Sequence, residues 1–278
     1  MDNFAVNNTA SNLSDFALFL TVMKHRKAYQ NTLSIILDEP DIQLKEVKVE
    51  QVILNKSGKR AIRLDAWAIS TDARQFDMEM QNQTNQDSLP KRSRFYQGLM
   101  DSPILKSGKK TRYKYLPSTT IIFITQDDIF QKDLAKYTFT EQCEEVKDLK
   151  LDDGTTKIFL NMTSKNGTKE LISLLQYMKN TDINNPEIQV IDKRLLDLDK
   201  IVMQVKESEE WEAVKMDILD VGIQKGIEMA IEVVLETYNE MNVSKEEAKH
   251  NIMKKFDLAP EKAAEYIDQY WNTGKTVS

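Results

Sequence analysis

The stretch from Arg63 to Gln81, RLDAWAISTDARQFDMEMQ, constrains this chain more than any other. Apolar and polar residues alternate on either side of a short polar turn, the pattern of two strands joined as a hairpin. Alternation puts Ile62, Leu64, Ala66 and Ala68 on one side of the first strand and Phe76, Met78 and Met80 on one side of the second. Asp65, Asp77, Glu79 and Gln81 are left on the opposite faces. A turn centred on Asp72 makes Asp65 the cross-strand partner of Glu79 and Arg63 that of Gln81, with β-carbons roughly 5 Å apart. Like charges directly opposite one another destabilise a strand pair, and a cation between them removes the conflict.

The rest of the chain is read around that hairpin. A helix is expected from Ser14 or Asp15 to Leu37, with Phe16, Phe19, Leu20 and Met23 at helical spacing, then a turn at Asp38–Asp41 and a strand over Glu46–Leu54. Pro90 suits the first turn of a helix reaching Leu99 or Met100, carrying Lys91, Arg92 and Arg94, with Phe95 and Leu99 packed inward. Lys106, Lys109, Lys110, Arg112 and Lys114 follow, interleaved with Tyr113 and Tyr115. Cations neutralise phosphates and rings stack on bases, so this loop suits nucleic acid, although a solvated surface loop has the same composition. Thr119–Thr125, TTIIFIT, reads as a central strand covered on both faces. Strands are expected at Tyr137–Thr140, Val146–Leu151 and Lys157–Asn161, and a helix at Lys169–Met178.

Asn180–Pro186 is the best boundary on composition, giving a tail at 1–12, a domain at 13–180 and an all-helical region at 181–278. In that last region a helix is expected over Glu187–Val205, a break near Asp220–Gly226, and a second helix over Ile227–Asn239. A Ser244/Glu247 capping box then opens Lys245–Phe256, and Pro260 opens a final helix to Trp271.

Composition narrows the function classes. With 278 residues, 41% of them hydrophobic, the chain can bury a real core, and no apolar run approaches the roughly 18 residues needed to cross a membrane. One Cys and two His exclude a disulfide framework and a Cys/His zinc cluster, and a cytoplasmic location is expected. The net charge of −6 is unevenly placed: residues 1–126 hold 18 Lys and Arg against 13 Asp and Glu, and the remainder hold 20 against 31. A polyanion should therefore meet the first half, while the acidic helical half suits a protein partner.

An Asp on one strand, a turn, and Glu-x-Gln on the next resembles the PD-(D/E)XK nuclease superfamily. The ordered run RLDAWA, DMEMQ, KRSRFYQGLMDSPILKSG and YLPSTTIIFITQDDIF is similar to the PD-(D/E)XK nuclease family transposases, the Rpn-like recombination-promoting nucleases, over roughly residues 13 to 180. Arg92 to Tyr96 stands where that family carries an Arg-x-x-Tyr-Tyr-like segment, with Phe95 in place of the first Tyr. Two departures are visible: no Pro precedes Asp65, and Gln81 replaces the motif Lys, as is usual in this family.

The resemblance implies an α/β, restriction-endonuclease-like fold with a mixed central sheet flanked by helices, and a metal-dependent DNA endonuclease. Asp65, Glu79 and the Met80 backbone carbonyl would hold Mg²⁺, or Mn²⁺ in its place, and Gln81 would orient the attacking water. Asp15 is a further metal candidate, with helix capping as its alternative. Arg92 would hold the scissile phosphate; outside the resemblance it reads as an exposed arginine. An amide cannot take the water's proton or supply positive charge, so Arg92, Arg94 or a second metal is expected to offset charge. A homodimer is the simplest way to cut both strands. The alternative is a catalytically weak or inactive nuclease fold that binds nucleic acid or a protein.

Overall fold

The computed structural model describes residues 11–55, 57–84, 87–105 and 112–271. Lys106, Lys109 and Lys110 of the basic loop, and most of the expected 1–12 tail, lie outside the described residues.

The hairpin forms in the expected register. β2 (Ile62–Ser70) and β3 (Gln75–Gln81) pair antiparallel from Ile69↔Gln75 to Ala66↔Met78, so partners sum to 144. Ser70 closes the turn: its N–H donates to the Arg74 carbonyl, its Oγ accepts the Arg74 N–H, and Ala73 takes a left-handed φ of 69°. β1 (Leu44–Ile53) pairs antiparallel with β2. On the other side β4 (Thr119–Thr125) and then β6 (Thr155–Asn161) run parallel to β3, and β5 (Lys136–Phe139) closes the edge antiparallel to β6. The largely apolar, β-branched run thus becomes a central strand, since a strand buried on both faces needs no polar side.

Helices flank this mixed six-stranded sheet. α3 (Leu89–Asp101) connects β3 to β4 and lays Tyr96 and Met100 on Ile121 and Phe123. Phe123 stacks on Phe159 at 5.6 Å and meets Tyr96 at 6.5 Å, so this layer is largely aromatic. α1 (Phe16–Met23), α2 (Arg26–Leu37), α4 (Lys169–Lys179) and α5 (Lys193–Lys206) form a second group packed together and against β1 and β2. The Tyr29 hydroxyl donates to the Ala66 carbonyl within it.

Contacts divide the chain after Trp211 rather than at residue 180. The Asn180–Pro186 loop lies inside the first unit, because α5 folds back on α2: Asn31 Nδ2 donates to the Arg194 carbonyl, and Tyr177 of α4 to Asp199 of α5. The second unit contains most of α6 (Glu209–Glu240) with α7 (Lys245–Phe256) and α8 (Pro260–Tyr270), packed around Ile231, Leu235, Ile252 and Ile267. Ser244 Oγ accepts the Glu247 N–H at 3.2 Å, so the N-cap of α7 starts where the sequence puts it.

Four local expectations need correction. The first helix breaks at Lys24–His25, where the fully apolar α1 gives way to the amphipathic α2. Val146–Leu151 forms no strand: Val146, Leu149 and Leu151 are exposed and one bridge, Gln142↔Lys150, is made. The expected helix from Glu187 begins at Lys193, where Asp192 caps it by accepting from Arg194 and Leu195 N–H. α6 runs unbroken through Gly222 and Gly226, whose cost of about 1 kcal/mol each does not stop a helix of 32 residues. The break falls instead at Glu207–Ser208, and Ser208 Oγ accepts the Trp211 N–H.

Phe123→Ala removes the centre of the α3-side core. It is expected to cost about 3–5 kcal/mol of unfolding free energy, measured by urea denaturation, with no gain in compactness to offset it.

Candidate functional site

The site arises where the hairpin comes apart. Besides a register shift between Leu44 and Glu46, the β1–β2 ladder is interrupted at Glu50 and Asp65, which drop out between Val49↔Ala66 and Gln51↔Leu64, and Glu50 has a left-handed φ of 51°. Such an irregularity interrupts face alternation. Ile53, Ile62 and Leu64 pack into the cluster of Trp67, Tyr96, Ile121 and Phe123. Ile62 and Leu64 therefore do not continue the Ala66/Ala68 face as strict alternation would have them.

β2 and β3 part at the same level, their ladder ending at Ala66↔Met78. Two carboxylates take over the missing rungs: the Asp65 N–H donates to Glu79 Oε1 at 2.9 Å and the Met80 N–H to Asp65 Oδ2 at 3.1 Å. Asp65 is 6% exposed, and Glu79 and Asp77 are fully buried.

A cation stands at the pair. Arg92, in the second turn of α3, gives Nη2 to Glu79 Oε2 at 2.5 Å, Nη1 to Gln81 Oε1 at 2.8 Å and Nε to the Tyr96 hydroxyl at 2.9 Å. The rings of Tyr96 and Phe123 lie 4.9 and 5.5 Å from its guanidinium carbon. Ser88, whose Oγ accepts the Lys91 N–H, and Pro90 start α3 so that its second turn faces the end of β3. Phe95 is exposed at 41%, and Tyr96 is the aromatic that turns inward, because it follows Arg92 by one helical turn. Gln81 Nε2 donates to the Gln83 carbonyl, so both ends of that amide are engaged.

Burial dominates the protonation of the carboxylates. Desolvation lifts Asp65 from an ordinary 3.8 to about 6, against the pull of the Met80 N–H and Arg92. It lifts Glu79 from 4.5 to about 8, helped by the charge on Asp65 and opposed by Arg92. Asp77 is raised further by burial, Glu79 and Asp65. Neither Asp77 oxygen meets an N–H or O–H donor, and its neighbour Glu79 is itself an acceptor. Burial without a hydrogen-bond partner favours the neutral form of Asp77. Asp77 and Tyr96 are the residues that reading the sequence did not assign to the site; their spacings, two before Glu79 and four after Arg92, were the available signals.

The donors fit a hard divalent cation. Asp65, Glu79 and a backbone carbonyl are all oxygen ligands, and Mg²⁺ commonly takes one or two carboxylates and keeps several waters. In an extended strand the N–H and C=O of one residue point to the same edge, so the Met80 carbonyl shares the edge from which its N–H reaches Asp65. Among the described residues no three His, Cys, Asp or Glu side chains converge on one point, so a cage of three protein carboxylates is not formed.

Asp15 makes no hydrogen bond to these carboxylates. It is the exposed N-cap position of α1, and its Oδ2 accepts the Asn12 N–H at 2.6 Å. Arg94 is exposed on the outer side of α3, and Arg112 is exposed before the short 3-10 turn Tyr113–Tyr115. Neither touches the carboxylates. No family model, curated protein or solved structure matches this chain. Among the described residues no helix is long and apolar enough to cross a membrane.

The raised acids set a direction for stability. A carboxyl whose pKa rises on folding favours the native state below its unfolded pKa, and that contribution disappears as pH climbs through the folded value. Between pH 5 and 8.5 in chelator, Glu79→Gln should therefore gain stability relative to wild type, read as the difference in urea midpoints. A constant difference across that range would contradict the assignment.

Proposed function

We propose that this protein is a metal-dependent DNA endonuclease with a restriction-endonuclease-like fold, akin to the PD-(D/E)XK nuclease family transposases. One observation carries the reading: Asp65 and Glu79 face each other across the parted end of the hairpin while Gln81 and Arg92 converge on Glu79's side. Structural strands pair such positions with apolar or opposite charges, whereas phosphodiester hydrolysis needs acidic oxygens beside a cation. The mixed sheet, the β3–α3–β4 crossover and the placement of the acids at the end of β3 support the same fold reading.

Held by Asp65, Glu79 and the Met80 carbonyl, Mg²⁺ or Mn²⁺ would supply Lewis-acid stabilisation of charge on the phosphate and a water reactive at neutral pH. The chain's own groups position the substrate. Arg92 uses three of its five N–H donors internally, leaving two for a phosphate oxygen. Gln81 holds Arg92 on one side and has a second amide N–H with which to hold water, but it cannot take that water's proton. The basic excess of residues 1–126 favours DNA on this half, in the cytoplasm, with a homodimer cutting both strands and the acidic helices open to a protein partner.

A second reading has its own observation. Arg92 and Glu79 neutralise each other, and the Gln81 amide is engaged at both ends, which favours a weak or inactive nuclease fold that binds nucleic acid or a protein. Nicking of supercoiled plasmid separates the two. With Mg²⁺ or Mn²⁺ the wild type should nick and with chelator it should not. Asp65→Ala and Glu79→Ala should each lose more than the roughly 10–100-fold typical of losing an outer-shell group. Equal trace nicking by all three folded proteins would leave only the second reading.

A further inference from the structure

A cleft lies beside β2, lined by Trp67 and Ile69. Its volume is about 580 Å³, and the half-buried Trp67 is part of its lining. Trp67 is the cross-strand partner of Asp77 and lies two residues beyond Asp65, about 6–7 Å along the strand. The cleft therefore adjoins the acidic site, within reach of a nucleotide next to the one being cut.

Its lining is chemically uneven. Met100, Ile104 and Pro117 supply an apolar wall, and Tyr115, 62% exposed, stands at the rim. Lys48 lies opposite Trp67 in the β1–β2 register, with its ammonium 5.4 Å from the ring centroid. That ammonium also pairs with Glu46 at 2.7 Å, both side chains being more than 40% exposed. Exposed contacts of this kind are worth under about 1 kcal/mol, so an incoming anion exchanges for them readily. Lys45, also lining the cleft, is exposed and makes no ion pair among the described residues. Gln75 uses its Oε1 to accept the Trp67 Nε1–H at 3.1 Å, which fixes the indole and keeps the Gln75 amide N–H groups for another acceptor.

We propose that this cleft binds an unpaired nucleotide of single-stranded DNA adjoining the cut phosphate, its base stacked on Trp67 and its phosphate on Lys45 and Lys48. An aromatic ring with an amide donor recognises a base, and paired lysines recognise a phosphate. An apolar peptide would leave both ammonium groups without a role. A base within a duplex is stacked on its neighbours and has no free face for Trp67, so the site selects frayed, gapped or displaced strands. This rests on the nuclease reading for the identity of the strand, and deepens it by naming the substrate form.

The test is fluorescence anisotropy of a labelled oligothymidylate, single-stranded or annealed to its complement, with the full chain in chelator. Wild type should bind the single strand more tightly than the duplex. Trp67→Ala should weaken single-strand binding by about 10- to 100-fold, and Trp67→Phe should restore most of it. Lys45→Ala with Lys48→Ala should lower the slope of log affinity against log salt by about 0.7, the share of one phosphate. Equal affinity for both DNA forms overturns the proposal, as does Trp67→Ala binding within about twofold of wild type. If Trp67→Ala does not fold, the two exposed lysines decide it: an unchanged salt slope overturns it. Because metal is removed, tight single-strand binding through Trp67 by a protein that nicks nothing upholds this site while the nuclease reading fails. Nicking with unselective binding does the reverse.

Discussion

The ion pair between Arg92 and Glu79 is the contact on which the rest of the first unit depends. Three carboxyl groups lie within a few residues on two strands, two of them with no exposed surface. Leaving even one ionised there without a partner costs several kcal/mol. The chain meets that cost in three ways at once: one guanidinium on Glu79, two backbone N–H groups on Glu79 and Asp65, and a burial of Asp77 that favours its neutral form. Each arrangement needs a different part of the fold, respectively α3, the parted strands, and the sealed interior between β3 and β4.

Those parts are mutually dependent. The Arg92 guanidinium lies against the rings of Tyr96 and Phe123, and these rings belong to the core that glues α3 to the sheet. The backbone donors are free for carboxylates only because the β2–β3 ladder stops at Ala66↔Met78, level with the irregularity at Glu50. A regular hairpin would have spent the Met80 N–H on β2 and left Asp65 without it. The distortion therefore gives up strand pairing and obtains a carboxylate pair with one open edge.

Much of this was legible in the sequence, and what was not has a common cause. Alternation and the turn residues fixed which residues of the hairpin face one another, and TTIIFIT announced a central strand, because these signals are local. Ser244 and Glu247 likewise mark the start of α7 within four residues. By contrast, strict alternation misplaced Ile62 and Leu64, since nothing in RLDAW reveals that Glu50, on a neighbouring strand, adopts a left-handed φ. Phe95 is as apolar as Tyr96, and only the location of the sheet decides which ring turns inward. The division at 211 was missed for the same reason: α5 is polar enough to pass for an independent helix until α2 is there to receive it.

On the proposed nuclease reading, Gln81 stands where a lysine is expected, and the arrangement gives that difference a physical meaning. A lysine on β3 would bring positive charge and a donor in one side chain. Here the two functions are divided: the donor is the Gln81 amide, and the charge is Arg92, delivered from α3 and hydrogen-bonded to that amide at 2.8 Å. The divided form has a consequence that a lysine lacks. A lysine can lose its proton when buried, whereas a guanidinium stays charged at any accessible pH. On the proposed reading, the pair Gln81–Arg92 would orient water and hold phosphate but could not act as a base, and proton removal would fall to the carboxylates or to water held by a metal. Burial raises Asp65 to about 6 and Glu79 to about 8 even with Arg92 beside them, so additional positive charge at the pair would favour their ionised forms.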